Sequence, residues 1–409
     1  MHSWSSVDVP QLPGSGFPIE VFDTRLQRNV VPVEPGNLAR LYVCGITPYD
    51  STHMGHAATY VAFDLLHRAW LDSGSPVTYV QNVTDVDDPL LERAEKLQEH
   101  WTEIAHREMD RFRDDMTSLR VLPPQHYISV SEHMQGIIEW ISALSQTGAT
   151  YFVDTDLYFD VTFTASSALI TSLTEAEKSE IFAQRGGDPE RSGKRNPLDA
   201  LLWRGHRVGE PSWPSPFGDG RPGWHVECVA IALDHLGGSL SVQGGGKDLV
   251  FPHHEMCSIQ AVATHKMSEF ATSFVHAGMV SLGGEKMSKS LGNLVFISDL
   301  RAAGHRPAVI RTAIMSNRYC SDWEWTDDLL TAAAQRVETW EQALSLQAGA
   351  AALPVLEQVR KALAHDLDAP AALAAIDEWA IASLDGVADD LTAPGLIARM
   401  MDSLLGIAL

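Results

Sequence analysis

The sequence predicts an α/β fold built on a parallel sheet. Residues 41–71 read as strand, loop and helix, and residues 77–84 follow as a second strand. Strand, helix and strand at this spacing form a βαβ unit with a right-handed crossover. A later strand, 239–243, ends in Gly244-Gly245-Gly246 and leads through a helical segment to a strand at 274–276. From Asp299 onward the alanine content and amphipathic spacing predict helices to Leu405.

The first unit opens with Leu41-Tyr42-Val43, a β-prone run that Cys44-Gly45 ends. Pro48 and Asp50 carry turn chemistry. After His53-Met54-Gly55-His56, the residues Ala57, Tyr60, Val61, Asp64, Leu65 and Arg68 recur at helical spacing. A helix start directly after a strand is suited to phosphate, because its free N–H groups and dipole face an anion. His53 and His56 add two imidazole donors there. A surface loop with incidental histidines is the rival reading of so short a motif.

Residues 1–40 read as a surface wrap with an edge strand at 19–22. The acidic run Asp85-Val86-Asp87-Asp88 reads as a helix N-terminal cap, with metal binding as the alternative. Helices are expected at 90–113 and 131–146, separated by Pro123-Pro124. The Gly/Pro-rich, charged stretch around Gln184-Arg185-Gly186-Gly187-Asp188-Pro189 marks an inserted subdomain. The expected units are a wrap (1–40), a first half of the α/β domain (41–120), an insertion (121–200), a second half of the α/β domain (201–290) and a helical domain (291–409).

Composition narrows the function. The chain has 409 residues, 45% hydrophobic and 20% charged, which suits a globular protein. Its net charge of −23 argues against general affinity for nucleic acid. No signal peptide and no run long enough for a membrane span are evident. Four cysteines in such a length suit a reducing cytoplasm and metal binding better than a disulfide framework.

Cys44, Cys228 and His253 each fall at a strand end or helix start on one face of the predicted sheet. Cysteine and histidine suit zinc, although buried cysteines are also ordinary small hydrophobes. Cys257 lies one helical turn beyond His253 and would complete a closed Cys3His site, whereas a catalytic zinc keeps an open position.

Taken together, Cys44…His53-Met54-Gly55-His56, Gly223-Trp224-His225-Val226-Glu227-Cys228, Gly244-Gly245-Gly246…Asp248…Phe251-Pro252-His253-His254-Glu255 and Lys286-Met287-Ser288-Lys289-Ser290 resemble class I cysteinyl-tRNA synthetases over about residues 40–300. Within that group the chain is more similar to the cysteine ligases of mycothiol biosynthesis. Cys44-Gly45-Ile46-Thr47-Pro48-Tyr49-Asp50 and the 184–189 stretch match the ligase forms, and the helical segment is too short for an anticodon-reading region. A truncated cysteinyl-tRNA synthetase is the alternative.

The resemblance implies a Rossmann-type catalytic domain of class I synthetase type with an insertion and a C-terminal helical bundle. It implies ATP-dependent joining of cysteine to the amine of glucosaminyl-inositol through a cysteinyl-adenylate. By the same resemblance, Cys44, Cys228 and His253 hold one zinc per chain, with ATP and Mg2+ as the activating pair. Gly45, Ile46, Thr47, Thr59, Asn82, Val83, Thr84 and Trp224 surround the aminoacyl group. Gly246, Lys247, Asp248 and the backbone near Val280 take the adenosine side, and His53, His56, Lys286 and Lys289 act on the phosphates. A cytoplasmic monomer without nucleic-acid or membrane partners is expected. Two positions depart from the synthetase: Cys257 stands where it has Glu, and Lys247 where a small polar residue is usual.

Overall fold

The computed structural model describes residues 1–49, 51–264, 266–287 and 292–409. Its centre is a five-stranded sheet, all parallel, in the spatial order Ala271–Ala277, Leu240–Gly246, Ala39–Ile46, Val77–Val83 and His126–Ser129. The chain leaves Ala39–Ile46 toward one edge and later returns beside it through Leu240–Gly246 toward the other. This makes a topological switch point, and ligands of open α/β sheets bind beyond the strand ends there.

Both faces of the sheet are covered, as a parallel sheet requires. The helix Met54–Asp72 packs on one face through Ala57, Val61 and Leu65. On the other face lie Trp224–Leu236 and Glu255–Ala263, both mostly buried. Gly244 lets the first helix come close, since a Cβ there would stand 2.3 Å from the Phe63 ring.

Three sequence expectations change here. The helix expected at 90–113 is two helices, Asp88–Leu97 and Trp101–Ser118. Gln98 separates them in the left-handed region at φ 55°. The segment after Pro123-Pro124 is not a simple break, because His126–Ser129 forms the edge strand beside Val77–Val83. The inserted structure is therefore not the span 121–200. It is an antiparallel sheet of Thr150–Val153, Asp156–Phe159, Ala200–Gly205 and Gly220–Pro222.

The acidic run caps a helix as expected. Asp87 is the N-cap of Asp88–Leu97 and accepts from the Asp88 N–H. The edge strand near residue 20 is Val21–Asp23, paired with Arg28–Val30. The C-terminal region is helical, with one short strand, Trp323–Glu324, beside Val280–Leu282.

The helical region is tied to the helix Met54–Asp72 by a buried ion cluster. Arg68 donates to Asp64 at 2.7 Å, and Arg311 donates to Asp64 and to the Leu405 and Leu119 carbonyls. Burial raises the Asp64 carboxyl, but Arg68 and Arg311 outweigh it and hold it below the usual range. No helix among the described residues is long and apolar enough to cross a membrane.

Candidate active site

The sheet converges three distant ligand-type residues on one point. Cys44 ends the central strand, Cys228 lies one turn into Trp224–Leu236, and His253 precedes Glu255–Ala263. All three are buried, and their ligand atoms lie within 4.8 Å of one another. Cys257 is not in that set. Its Sγ lies 3.4 Å from the His225 carbonyl and 3.9 Å from His253 Nε2.

Local backbone explains the position of Cys44. The pairing with Val77–Val83 shifts register between Val43 and Ile46. Gly45 lies so close to the neighbouring strand that a Cβ would overlap the Asn82 carbonyl at 1.6 Å. Asn82 Oδ1 accepts from the Gly45 N–H at 2.8 Å and from the Tyr42 hydroxyl at 3.0 Å, and Nδ2 donates to Thr84 Oγ1 at 3.1 Å. The Asn82 amide thus holds the irregular strand end that presents Cys44.

The two cysteines of the cluster differ in their hold on a proton. Cys228 is held well below the usual thiol range by hydrogen bonds from Cys257 and Cys44 and by the nearby His253. Burial pushes the Cys44 and Cys257 thiols up. Two buried thiols and an imidazole within this radius match the preference of zinc for sulfur and nitrogen ligands. His253 Nδ1 lies 3.0 Å from His225 Nδ1. Burial holds His225 neutral, so it can accept at Nδ1 and leave the His253 Nε2 lone pair free for a metal.

A second group of histidines lies behind Cys44, and the sequence reading did not assign it. His254 Nε2 approaches Cys44 Sγ at 3.1 Å, and His254 Nδ1 lies 2.7 Å from His276 Nε2. His276 Nδ1 meets Thr24 Oγ1 at 2.7 Å. Burial depresses both imidazoles, His276 to about 3. Neutral rings can then point every proton one way, from Thr24 through His276 and His254 to the Cys44 sulfur. The adjacency of His254 to His253 was a visible signal. The contribution of Thr24 from the N-terminal hairpin was not.

The phosphate-type motifs meet on the neighbouring side. His53 is the N-cap of Met54–Asp72 and accepts from the Gly55 N–H at 3.1 Å. Its ring stacks on His56 with centroids 3.8 Å apart. Met54 donates to the Val295 carbonyl and Ile297 to the Thr52 carbonyl, so the chain returns from the lysine motif directly to the histidine motif. Lys286 Nζ lies 3.4 Å from Asp248 Oδ2. Ser288, Lys289 and Ser290 of the lysine motif, and Asp50 of the first motif, lie outside the described residues.

The remaining flagged residues line the same region. Thr47, Trp224, Asp248 and Lys286 border one cleft of about 1110 Å3. Trp224 stacks on His253, centroids 4.2 Å apart and planes 21° from parallel. Thr59 sits on the helix after the histidine motif and donates to the Gly55 carbonyl at 3.0 Å. Gly246 ends its strand next to Asp248, and Val280 is buried in the following hairpin. Lys247 turns to the surface and pairs with Asp322 at 2.9 Å.

Known proteins resemble this chain. Residues 29–335 match the family described as tRNA synthetases class I (C) catalytic domain. The L-cysteine:1D-myo-inositol 2-amino-2-deoxy-alpha-D-glucopyranoside ligase of Thermobispora bispora is 55% identical over all of both chains. Ligases of the same description from Streptomyces griseus and Streptomyces coelicolor are 54% and 53% identical, again over both full lengths. The chain belongs to this ligase family.

The family shares its fold with tRNA synthetases of other specificities. Mycobacterium tuberculosis methionyl-tRNA synthetase in complex with methionyl-adenylate superposes with a TM-score of 0.64 over 90% of this chain and 92% of that one, at 14% identity. The Agrobacterium radiobacter leucyl enzyme superposes at 0.65 over 92% of this chain and 85% of that one, at 11% identity. At such identities the likeness is one of fold, and the ligase family membership rests on the full-length relatives.

Proposed function

We propose that this chain joins L-cysteine to the amine of glucosaminyl-inositol, driven by ATP, as a step of mycothiol biosynthesis. Cysteine and ATP give cysteinyl-adenylate and pyrophosphate. The amine then attacks the aminoacyl carbonyl, loses one proton and releases AMP. The observation that carries this reading is the buried Cys44–Cys228–His253 cluster beside the histidine-motif helix, in a chain that matches the ligases end to end.

Cys44, Cys228 and His253 hold one zinc ion, and Cys257 stays outside its coordination. When bound, zinc supplies a soft position that prefers a thiolate to the hydroxyl of serine. Trp224 backs His253 and, with Thr47, walls the place of the aminoacyl group. Gly45, Ile46, Val83 and Thr84 form its floor, and Asn82 acts mainly by fixing that floor. Thr59 adjoins the aminoacyl group, and Gly246, Lys247, Asp248 and the Val280 backbone border the adenosine side.

His53 and His56 sit at a helix N-terminus, where N–H groups and the helix dipole favour phosphate. Lys286 and Lys289 neutralise the charge that grows on the departing pyrophosphate, with Mg2+ accompanying ATP. All these groups come from one chain, which suits a monomer. The four cysteines are free thiols, which suits the reducing cytoplasm.

Cysteine-dependent exchange of labelled pyrophosphate into ATP, run without acceptor, tests the activation step. Exchange with cysteine and at most one-hundredth as much with serine is expected. Equal exchange with both amino acids would remove the role given to the metal cluster.

A further inference from the structure

The loop at 184–189 lines the cleft and is anchored at two points. On one side, the Arg185 guanidinium donates to the carbonyls of Asp248 and Phe251, just ahead of His253. On the other, the Asp188 carboxylate accepts from the Tyr158 hydroxyl and, at 3.0 Å, from Lys194 in the inserted region. Gly187 folds back on buried Phe182, where a Cβ would stand 2.3 Å from the ring. Anchored at both ends, the loop is a fixed wall that joins the insertion to the catalytic sheet.

The first turn of Asp88–Leu97 lines the same cleft. Asp88 is locked to Arg204 and Arg221 of the inserted sheet, and Glu210 closes the ring onto both arginines. Asp87 and Glu92 also line the cleft. Glu92 is exposed and makes no hydrogen bond or ion pair among the described residues. Thr47 and Trp224 line the same cleft.

Size and chemistry agree on a second ligand. The cleft volume of about 1110 Å3 exceeds the roughly 300–1,000 Å3 of an ordinary small-molecule site. An acceptor must bring its amine to the aminoacyl carbonyl beside Thr47 and Trp224, so its bulk has to lie outward of them. The Arg185 and Gly187 N–H groups donate to the Phe182 carbonyl, so Glu92 and the carbonyls of the loop present acceptors suited to hydroxyl groups. Carboxylates on the wall nearest the reacting end attract an amine that arrives as an ammonium.

We propose that the amino-polyol acceptor binds in this cleft, with its amine end against Asp87 and its polyol end read by Glu92 and the 185–187 loop. This rests on the ligase reading above and assigns the acceptor its place. Two variants at exposed positions, Glu92→Ala and Arg185→Ala, test it. Three readouts are needed: ligation of glucosaminyl-inositol, ligation of glucosamine, and acceptor-free pyrophosphate exchange.

The expected result is an acceptor KM at least tenfold higher in each variant, with exchange altered less than threefold in Glu92→Ala. The preference for glucosaminyl-inositol over glucosamine should shrink by a similar factor. Unchanged acceptor KM in both variants, or exchange falling in step with ligation in Glu92→Ala, would overturn the assignment. A wild-type enzyme that exchanges pyrophosphate yet forms no amide would instead overturn the ligase reading itself.

Discussion

The Cys44 sulfur lies 3.1 Å from His254 Nε2, and the same imidazole reaches His276 through its other nitrogen. A donor aimed at a ligating sulfur fixes its orientation and tunes its charge, and removing such a partner typically costs 10–100-fold in metal affinity. His254→Phe should therefore weaken zinc binding by about that factor in a chelator competition. Unchanged affinity would make the histidine chain a packing feature only.

Cys228 and Cys257 are expected to behave differently, although both are buried. Cys228→Ala should lose the metal and cysteine-dependent exchange together. Cys257→Ser should keep one metal per chain and most of the exchange activity, because its thiol lies outside the cluster formed by Cys44, Cys228 and His253. Elemental analysis of the two purified variants checks this. Loss of zinc from Cys257→Ser would show a closed, four-ligand site.

Lys289→Ala should slow pyrophosphate exchange about a hundredfold, the scale of losing one preorganised charge contact. Lys286→Ala should act in the same direction and also release Asp248 from its ion pair. Single-turnover transfer from preformed cysteinyl-adenylate should change little in either variant. A transfer step slowed as much as exchange would move these lysines out of the activation step.

His67 gives the stability a pH dependence of definite sign. It is buried on the helix Met54–Asp72, and burial lowers its pKa from 6.5 to about 4. Between those values the unfolded chain binds more protons, so stability rises with pH. The contribution is complete above about pH 6.5 and is lost as pH falls toward 4, up to about 3 kcal/mol in all. Urea unfolding at pH 7 and pH 5 should show the loss in the wild type and a smaller one in His67→Leu. Equal pH slopes in both proteins would contradict it.

Periodicity and turn chemistry were enough to place the sheet strands around Cys44 and Gly246, because each is an apolar run ended by glycine. They also placed Asp87 as a cap. They failed where long-range pairing decides the structure. His126–Ser129 is only four residues long and becomes a strand because Val77–Val83 offers it an edge. Gln98 breaks a continuous helical pattern without Gly or Pro, so no local signal marked it. Likewise, motif spacing picked out Cys44, Cys228 and His253, whereas the Thr24–His276–His254 chain depends on contacts across 252 positions in sequence.

Acceptor choice is tested most directly by mass spectrometry of the products from cysteine, ATP and a mixture of glucosaminyl-inositol and tRNA, with AMP release followed alongside. The expected product is cysteinyl-glucosaminyl-inositol, with one AMP released per amide and no comparable charging of tRNA. Cysteinyl-tRNA formed at a rate similar to the amide would contradict the ligase function.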